Sequence, residues 1–393
     1  MMEKDRHDRR IYLDNAATTR PLPEVILTMG QVMYDVFGNP SSGHADGRDA
    51  KATVEQARRE IASLIGAKHS QLFFTSGGTE SDSTVLQGAR AFGIRRIVSS
   101  RAEHHAVTSV LRAIEKENDR FSPEDQVEVV YIGLDEKGRL SAEGLDHILG
   151  SSDRKTLVSL MHANNETGNM YDIAAIGQVC RTHGALFHTD AVQTVGHLPL
   201  DLSGLEVDFL SASAHKFHGP KGVGFLYVRE PGVFPAWLLG GGQERGMRSG
   251  TENVAGIAGM ACALRLAAES MEADAAYVRH LKNRLTVGLS AIDGIRFNGL
   301  CREDGRCLPG IVNVTLPVRK DISIVLLALD MKGVEVSAGS ACMAGAPEPS
   351  AVLGEMYKYG DGMPGCPSVR LSLCRFNTPD EVDAAVLALK SIL

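Results

Sequence analysis

A chain of 393 residues, 44% hydrophobic and 23% charged, is large enough to bury its own core without staples and has the composition of an ordinary globular protein. Its net charge of −7 excludes the basic footprint of a nucleic-acid or anionic-membrane binder, and no uninterrupted apolar run approaches the roughly 20 residues that span a bilayer. The cysteines at 180, 262, 301, 307, 342, 366 and 374 are odd in number and contain no CxxC pair, which favours a reducing cytoplasm over a disulfide framework or a structural zinc site.

In chain order, "QLFFTS" (71–76) reads as a strand that breaks at Gly77-Gly78, and "TESDSTVLQGARAF" continues as a helix. "RRIVSS" (95–100) is a strand followed by the helical "AEHHAVTSVLRAI". "TLVSLMH" (156–162) precedes a loop and the helix "DIAAIGQVCRTHG", closed by Gly184. "ALFHTDA" (185–191) and "VDFLSASAH" (207–215) are further strands, and a second strand follows "KFHGPKG". This βαβ rhythm predicts a mostly parallel sheet covered by helices, with ligands at the carboxyl ends of its strands. A long helical stretch over about 252–291 links this region to a smaller α+β unit. That unit contains "GIVNVTLP", the helix "DISIVLLALDMKG", the short "VEVSAG", the strand "SVRLSLCRF" and a last helix, "TPDEVDAAVLALKSIL".

The polar residues gather at the predicted strand ends. Lys216 in "SAHKFHGPKG" is either an exposed strand-end lysine or an amine that joins pyridoxal phosphate. That cofactor needs an acid at its pyridinium nitrogen to act as an electron sink. Asp190 in "FHTDAVQT" suits that task, and it equally suits a helix N-cap. Gln193 is within reach of the phenolic oxygen of such a ring, and His104 in "AEHHA" of its face. A phosphate needs N–H groups at a helix start, which Gly78 and Thr79 supply, with Ser213 and His215 as further donors. "GGGQERGMRSGTEN" (240–253) is a linker, or else brings Arg248, Ser249 and Thr251 to a phosphate, including one in a partner subunit. In "SVRLSLCRF", Arg370 alternates with apolar neighbours, so its guanidinium faces solvent or clamps an α-carboxylate.

The ordered motifs "YLDNAATT", "FGNPSS", "FTSGGTESD", "AEHHAV", "HANNETG", "HTDAVQ", "SAHKFHGPKG", "GGGQERGMRSGT", "GSAC" and "SVRLS" resemble the cysteine desulfurases, within the class V aminotransferase group of fold type I pyridoxal-phosphate enzymes. The subgroup with the longer catalytic-cysteine loop is the best match. The resemblance runs from about residue 11 to the end. It implies an α/β fold, with a large domain over 16–264 built on a mostly parallel seven-stranded sheet and a small α+β domain over 1–15 and 265–393. It also implies that Lys216 carries the cofactor, Asp190 pairs with the ring nitrogen, His104 stacks and Gln193 contacts the phenolic oxygen. Gly78, Thr79, Ser213 and His215 hold the phosphate, with Thr251 reaching it from the other subunit of a homodimer. Asn165 lies by cofactor and substrate, Arg370 binds the substrate carboxylate and Cys342 takes sulfur as a persulfide. His104 is also expected to accept a proton during the exchange.

The implied reaction converts L-cysteine to L-alanine and passes sulfur to an acceptor or scaffold protein, for iron–sulfur clusters or other sulfur-containing products. The rival readings are a selenocysteine lyase, an aminotransferase or β-lyase that needs no Cys342, and a non-enzymatic iron–sulfur assembly protein. No resident metal is expected, with transient cluster ligation by Cys342 left open. The weakly packing stretch "SAGSACMAGAPEPS" (337–350) suits a cysteine that swings between substrate and acceptor. Met343-Ala344 stand where many relatives carry small hydroxyl residues.

Overall fold

The computed structural model describes residues 10–339, 350–358 and 365–393. Cys342, most of the 337–350 stretch and the expectation that it swings lie outside the described residues.

The strands, in chain order, are β1 (Ile11–Tyr12), β2 (Leu72–Thr75), β3 (Arg96–Ser100), β4 (Glu128–Ile132), β5 (Thr156–Ser159), β6 (Leu186–Asp190), β7 (Phe209–Ser213), β8 (Gly224–Val228), β9 (Arg296–Phe297), β10 (Ile311–Thr315), β11 (Val334–Glu335) and β12 (Ser368–Ser372). The helices are α1 (Pro23–Asp35), α2 (Ala45–Leu64), α3 (Gly78–Gly88), α4 (His105–Glu117), α5 (Ala142–Gly150), α6 (Ile173–Thr182), α7 (Val254–Ser290), α8 (Ile322–Met331), α9 (Ala351–Tyr357) and α10 (Pro379–Lys390).

A seven-stranded sheet runs β2-β8-β7-β6-β5-β3-β4, and only β8 is reversed. The central strands β5, β7 and β8 are buried along their whole length, so both faces of the sheet are covered there. Helices cover both faces. Ile61, Leu72, Phe187, Leu210 and Phe225 belong to one core, and Phe73, Leu86, Leu111 and Phe209 to another.

The smaller unit has a three-stranded antiparallel sheet, β12-β10-β9, and a parallel pair, β1-β11. Its own core holds Leu13, Leu281, Val312, Leu371 and Leu389. The chain enters this core at Leu13 before building the large sheet, and returns to it along α7.

Helix α7 serves both regions. Asn253 caps it by accepting from Gly256 N–H. Ile257, Met260 and Leu264 pack into the large-sheet core, while Val278, Leu281 and Leu285 pack into the small one. Between Leu264 and Val278 no residue is buried. The helix is apolar enough to cross a membrane by length and composition, but half of its most apolar 18-residue window is buried within the protein.

Candidate active site

A cavity opens at the carboxyl ends of β2, β3, β5, β6 and β7. Its lining includes Gly78, Thr79, His104, Asn165, Asp190, Gln193, Ser213, His215, Lys216 and Arg370. Sequence reasoning had named all ten. Thr251 is exposed and does not line this cavity, and Cys342 is outside the described residues.

The phosphate end follows from backbone geometry. Gly77 has φ 151, a value that L side chains rarely adopt. It leaves the N-terminus of α3 without a side-chain cap, so the first N–H groups stay available. A Cβ on Gly78 would lie 2.5 Å from Val192 Cγ2, so glycine is required for this close approach. Arg248 does not join this end of its own chain. Its Nε donates to Glu80 Oε1 at 2.8 Å, and Ser249 is buried with its Oγ accepting from Gly242 N–H.

Asp190 ends β6. One carboxylate oxygen accepts from Val192 N–H at 2.9 Å, so the cap reading holds locally, although a turn rather than a helix follows. Its other oxygen has no hydrogen bond among the described residues. Burial pushes this carboxyl up to about 7, and the nearby Asp82 adds to the push. The charge of Lys216 pulls the other way but less strongly, and a protonated ring nitrogen would supply a further cation. Asp82 is itself buried and raised to about 7 by burial, with Oδ1 accepting no hydrogen bond and lying 3.4 Å from His188 Nε2. His188 lies between them in the same layer, bonded to Ser159 and Ser211.

Lys216 follows β7 in a 3-10 turn, Ala214–Lys216. Its Nζ donates to Ala16 O at 2.6 Å and Ala17 O at 2.9 Å. Gln193 Nε2 donates to the same Ala16 carbonyl at 2.9 Å. The "YLDNAATT" segment therefore folds over the site and holds two of its working side chains.

His104 caps α4, with Nδ1 accepting from Ala106 N–H at 3.1 Å. Nδ1 thus carries a lone pair and the ring hydrogen sits on Nε2. Burial holds this imidazole down to about 4, helped by the charges of Lys216, His105 and Arg370. It is neutral at neutral pH and becomes a proton acceptor at Nε2 only by giving up that hydrogen first. His215 is likewise held at about 4 by burial and by Lys216, and bonds Thr18 Oγ1 through Nδ1.

Arg370 is not a surface residue. It sits mid-strand on β12, 1% exposed, and reaches the cavity from the small unit. Nη2 donates to Asp14 Oδ1 at 2.7 Å and Nη1 to Asn165 O at 2.8 Å, while Nε is buried without a partner. A buried guanidinium with an unmet donor suits a substrate carboxylate.

Sequence reasoning missed Asp14, Asp82, Glu103 and Glu166. All four lie inside motifs already quoted, and Glu103 and Glu166 adjoin His104 and Asn165, which had been assigned roles. Glu103 accepts from Met161 N–H, and burial raises its carboxyl well above the usual range. Glu166 bears most directly on chemistry. A Cβ on Gly339 would lie 2.6 Å from Glu166 Oε2, and Ser350 Oγ donates to that same oxygen at 2.5 Å. Both ends of the segment that carries Cys342 therefore meet one buried carboxylate beside Asn165. Ser337, just before it, exchanges two backbone hydrogen bonds with Arg370.

The amine, the buried acid, the glycine-lined helix start and the guanidinium fit pyridoxal phosphate, and together with the sheet they define a fold type I pyridoxal-phosphate enzyme. The aminotransferase class-V model matches residues 11–385, and the chain belongs to that family. It is 41% identical over 391 residues to the cysteine desulfurase IscS of Klebsiella pneumoniae, covering 97% of this chain and 92% of the relative. A solved NifS-like protein superposes with TM-score 0.87 at 34% identity, covering 98% of this chain and 99% of the other. A structure of SspA in complex with cysteine superposes with TM-score 0.75 at 28% identity, covering 93% and 99%.

Proposed function

We propose that this chain is a cysteine desulfurase that converts L-cysteine to L-alanine, moving the sulfur to Cys342 as a persulfide and on to an acceptor protein. The observation that carries the reading is the convergence of Gly339 and Ser350 on Glu166, beside the Arg370 site. Cys342 follows Gly339 by three residues in the sequence.

Pyridoxal phosphate, when bound, supplies an electron sink for the charge left by removal of the substrate α-proton. Lys216 would carry it, with Asp190 at the ring nitrogen, His104 on the ring face and Gln193 near the phenolic oxygen. Gly78, Thr79, Ser213 and His215 would hold the phosphate. Arg370 receives the substrate carboxylate through its unmet donor and fixes the α-carbon relative to Lys216 Nζ, the base that takes the α-proton. Cys342 attacks the substrate sulfur as a thiolate, because the thiol is a weak nucleophile. Asn165 contributes from the cavity wall.

Three further readings accompany this one. Residues 16–264 form a large cofactor domain, and 1–15 with 265–393 a small domain, a division the two cores support except at α9, whose Val352, Leu353 and Met356 pack into the large-sheet core. The protein is a cytoplasmic homodimer. Exposed Leu27, Met33, Tyr34 and Phe37 on and after α1 suit burial against a second copy, with Thr251 reaching the partner's phosphate. The sulfur serves iron–sulfur cluster assembly or other sulfur-containing products.

The test is incubation of the cofactor-loaded protein with L-cysteine, reading alanine, sulfide and the mass of the Cys342 peptide together. One added sulfur on Cys342, with alanine formed, is expected. Wild-type alanine and sulfide production by Cys342→Ala in the presence of reductant would overturn the reading.

A further inference from the structure

Away from the cavity, α7 buries a lysine against a thiol. Lys282 Nζ lies 2.7 Å from Cys307 Sγ and 2.9 Å from Leu308 O. Lys282 is 5% exposed and Cys307 7%. Neither contact of the lysine is a carboxylate, so this is not a buried salt bridge. Sulfur is larger than oxygen, and an N–H···S contact ordinarily sits beyond the roughly 2.9–3.0 Å of N–H···O. The two atoms are closer than that, yet too far apart for a direct bond. One atom between them would fill the space.

We propose that Lys282 and Cys307 form an oxidant-driven covalent cross-link, with a single oxygen bridging Nζ and Sγ. The oxidant class is peroxide, the usual first oxidant of protein thiols. The pair gives up two hydrogens and takes up one oxygen, a four-electron oxidation. Two molecules of hydrogen peroxide accept two electrons each. One peroxide oxygen stays in the bridge, and the other three leave as water with the hydrogens. The balance is the same whether the shared proton starts on nitrogen or on sulfur.

Neighbouring groups favour this pairing over a disulfide. Cys301 is 2% exposed, and burial pushes its thiol up to about 11, which keeps it protonated and slow to react. The bridge would also have a structural consequence. Met170 N–H donates to Arg306 O and Leu308 N–H to Gly168 O, so the Cys307 segment is already sewn to the loop that carries Asn165 and Glu166. A link to Lys282 would fasten α7 to that loop and, through it, to the wall of the active site.

The experiment treats the full-length protein with hydrogen peroxide and maps tryptic peptides by mass without reductant. A peptide joining residues 282 and 307 is expected, heavier than the sum of its parts by one oxygen less two hydrogens. Tryptic cleavage after Lys282 should be lost, and a thiol reductant should restore it. Cys301→Ser should still form the link, and Lys282→Met should not. Cys307 recovered as a sulfinic acid or as a disulfide to Cys301, with Lys282 still cleaved, overturns the proposal. So does a link that lacks the oxygen. None of these readouts depends on cysteine turnover or on bound cofactor.

Discussion

Two arginines are almost equally buried, and their surroundings differ in one respect. Arg58 on α2 is fully engaged. It donates to both oxygens of Glu244, to Leu72 O and to Glu55, and its guanidinium lies 4.5 Å from the Phe74 ring centroid. Arg370 on β12 has Asp14, one carbonyl and an orphaned Nε. The first arrangement is closed and holds the 244–246 turn against β2. The second is open on the side that faces the cavity. Of these two arginines, the one with the saturated donor set holds structure and the one with the unfinished set faces the site; Arg96 Nε, also buried without a hydrogen bond, lies away from the cavity. Asp190 is the acidic counterpart of Arg370, since burial outweighs the pull of the Lys216 charge on it.

The largest effect should come from breaking the closed pair. Glu244→Ala strips the buried Arg58 of its bidentate carboxylate, leaving only the more exposed Glu55 as a counter-charge, and removes the acceptor of Phe74 N–H. A loss of about 3–5 kcal/mol in unfolding free energy is expected. Denaturant titration should show it, while the folded fraction keeps its kcat/KM. Lost substrate affinity at unchanged stability would erase the contrast.

Next is the acid. The Asp190 carboxyl is raised from 3.8 to about 7, so the cofactor-free native state holds a proton that the unfolded chain releases in that window. Native stability from this group therefore falls as pH climbs from about 4 to 7. A ring cation restores the charged form. The stability gap between cofactor-loaded and cofactor-free protein, read as a difference in Tm, should widen from pH 5 to pH 8, with a ceiling of about 3 kcal/mol for the two units between pH 5 and 7 at 1.36 kcal/mol per unit. A gap independent of pH would remove Asp190 from the comparison.

Arg370→Lys tests the open pair itself. Lysine keeps the charge but loses the planar fork. One charged hydrogen bond is worth about 1.5–3 kcal/mol, so kcat/KM for L-cysteine should fall about 10- to 150-fold with cofactor absorbance retained. An unchanged KM would mean that the unmet Nε is not for substrate. The smallest effect is expected for Glu166→Gln. It keeps an acceptor for Ser350 but removes its charge, at about 1 kcal/mol. Persulfide formation on Cys342 should slow several-fold while the cofactor stays bound, as read by peptide mass after a cysteine pulse.

Much of this was legible in the chain. The strand ends at Thr75, Asp190 and Ser213 carry their chemistry in short motifs flanked by apolar runs, so their positions followed from periodicity. The long helix was expected over about 252–291 and runs Val254–Ser290. Other features depend on contacts distant in sequence. The Arg370–Asp14 pair joins residues 356 apart, and Glu166 meets Ser350 across 184. Nothing local in "SVRLS" distinguishes a buried guanidinium from an exposed one, because alternation fixes the face and not what covers it. α1, α2, α5 and β4 were not read at all, since their apolar residues are sparse or mixed with charge.

The waist of α7 has a consequence of its own. From 265 to 277 the helix touches neither core with a buried side chain, yet each flanking half is indispensable to one of them. A cut near Glu272 leaves every core side chain attached to a fragment that also carries most of its neighbours. The exceptions are Leu13, which travels with the first fragment and is needed by the second, and Val352, Leu353 and Met356, which travel with the second and pack into the core of the first. Two pieces expressed separately should therefore find one another and rebuild the enzyme, with the waist as the seam.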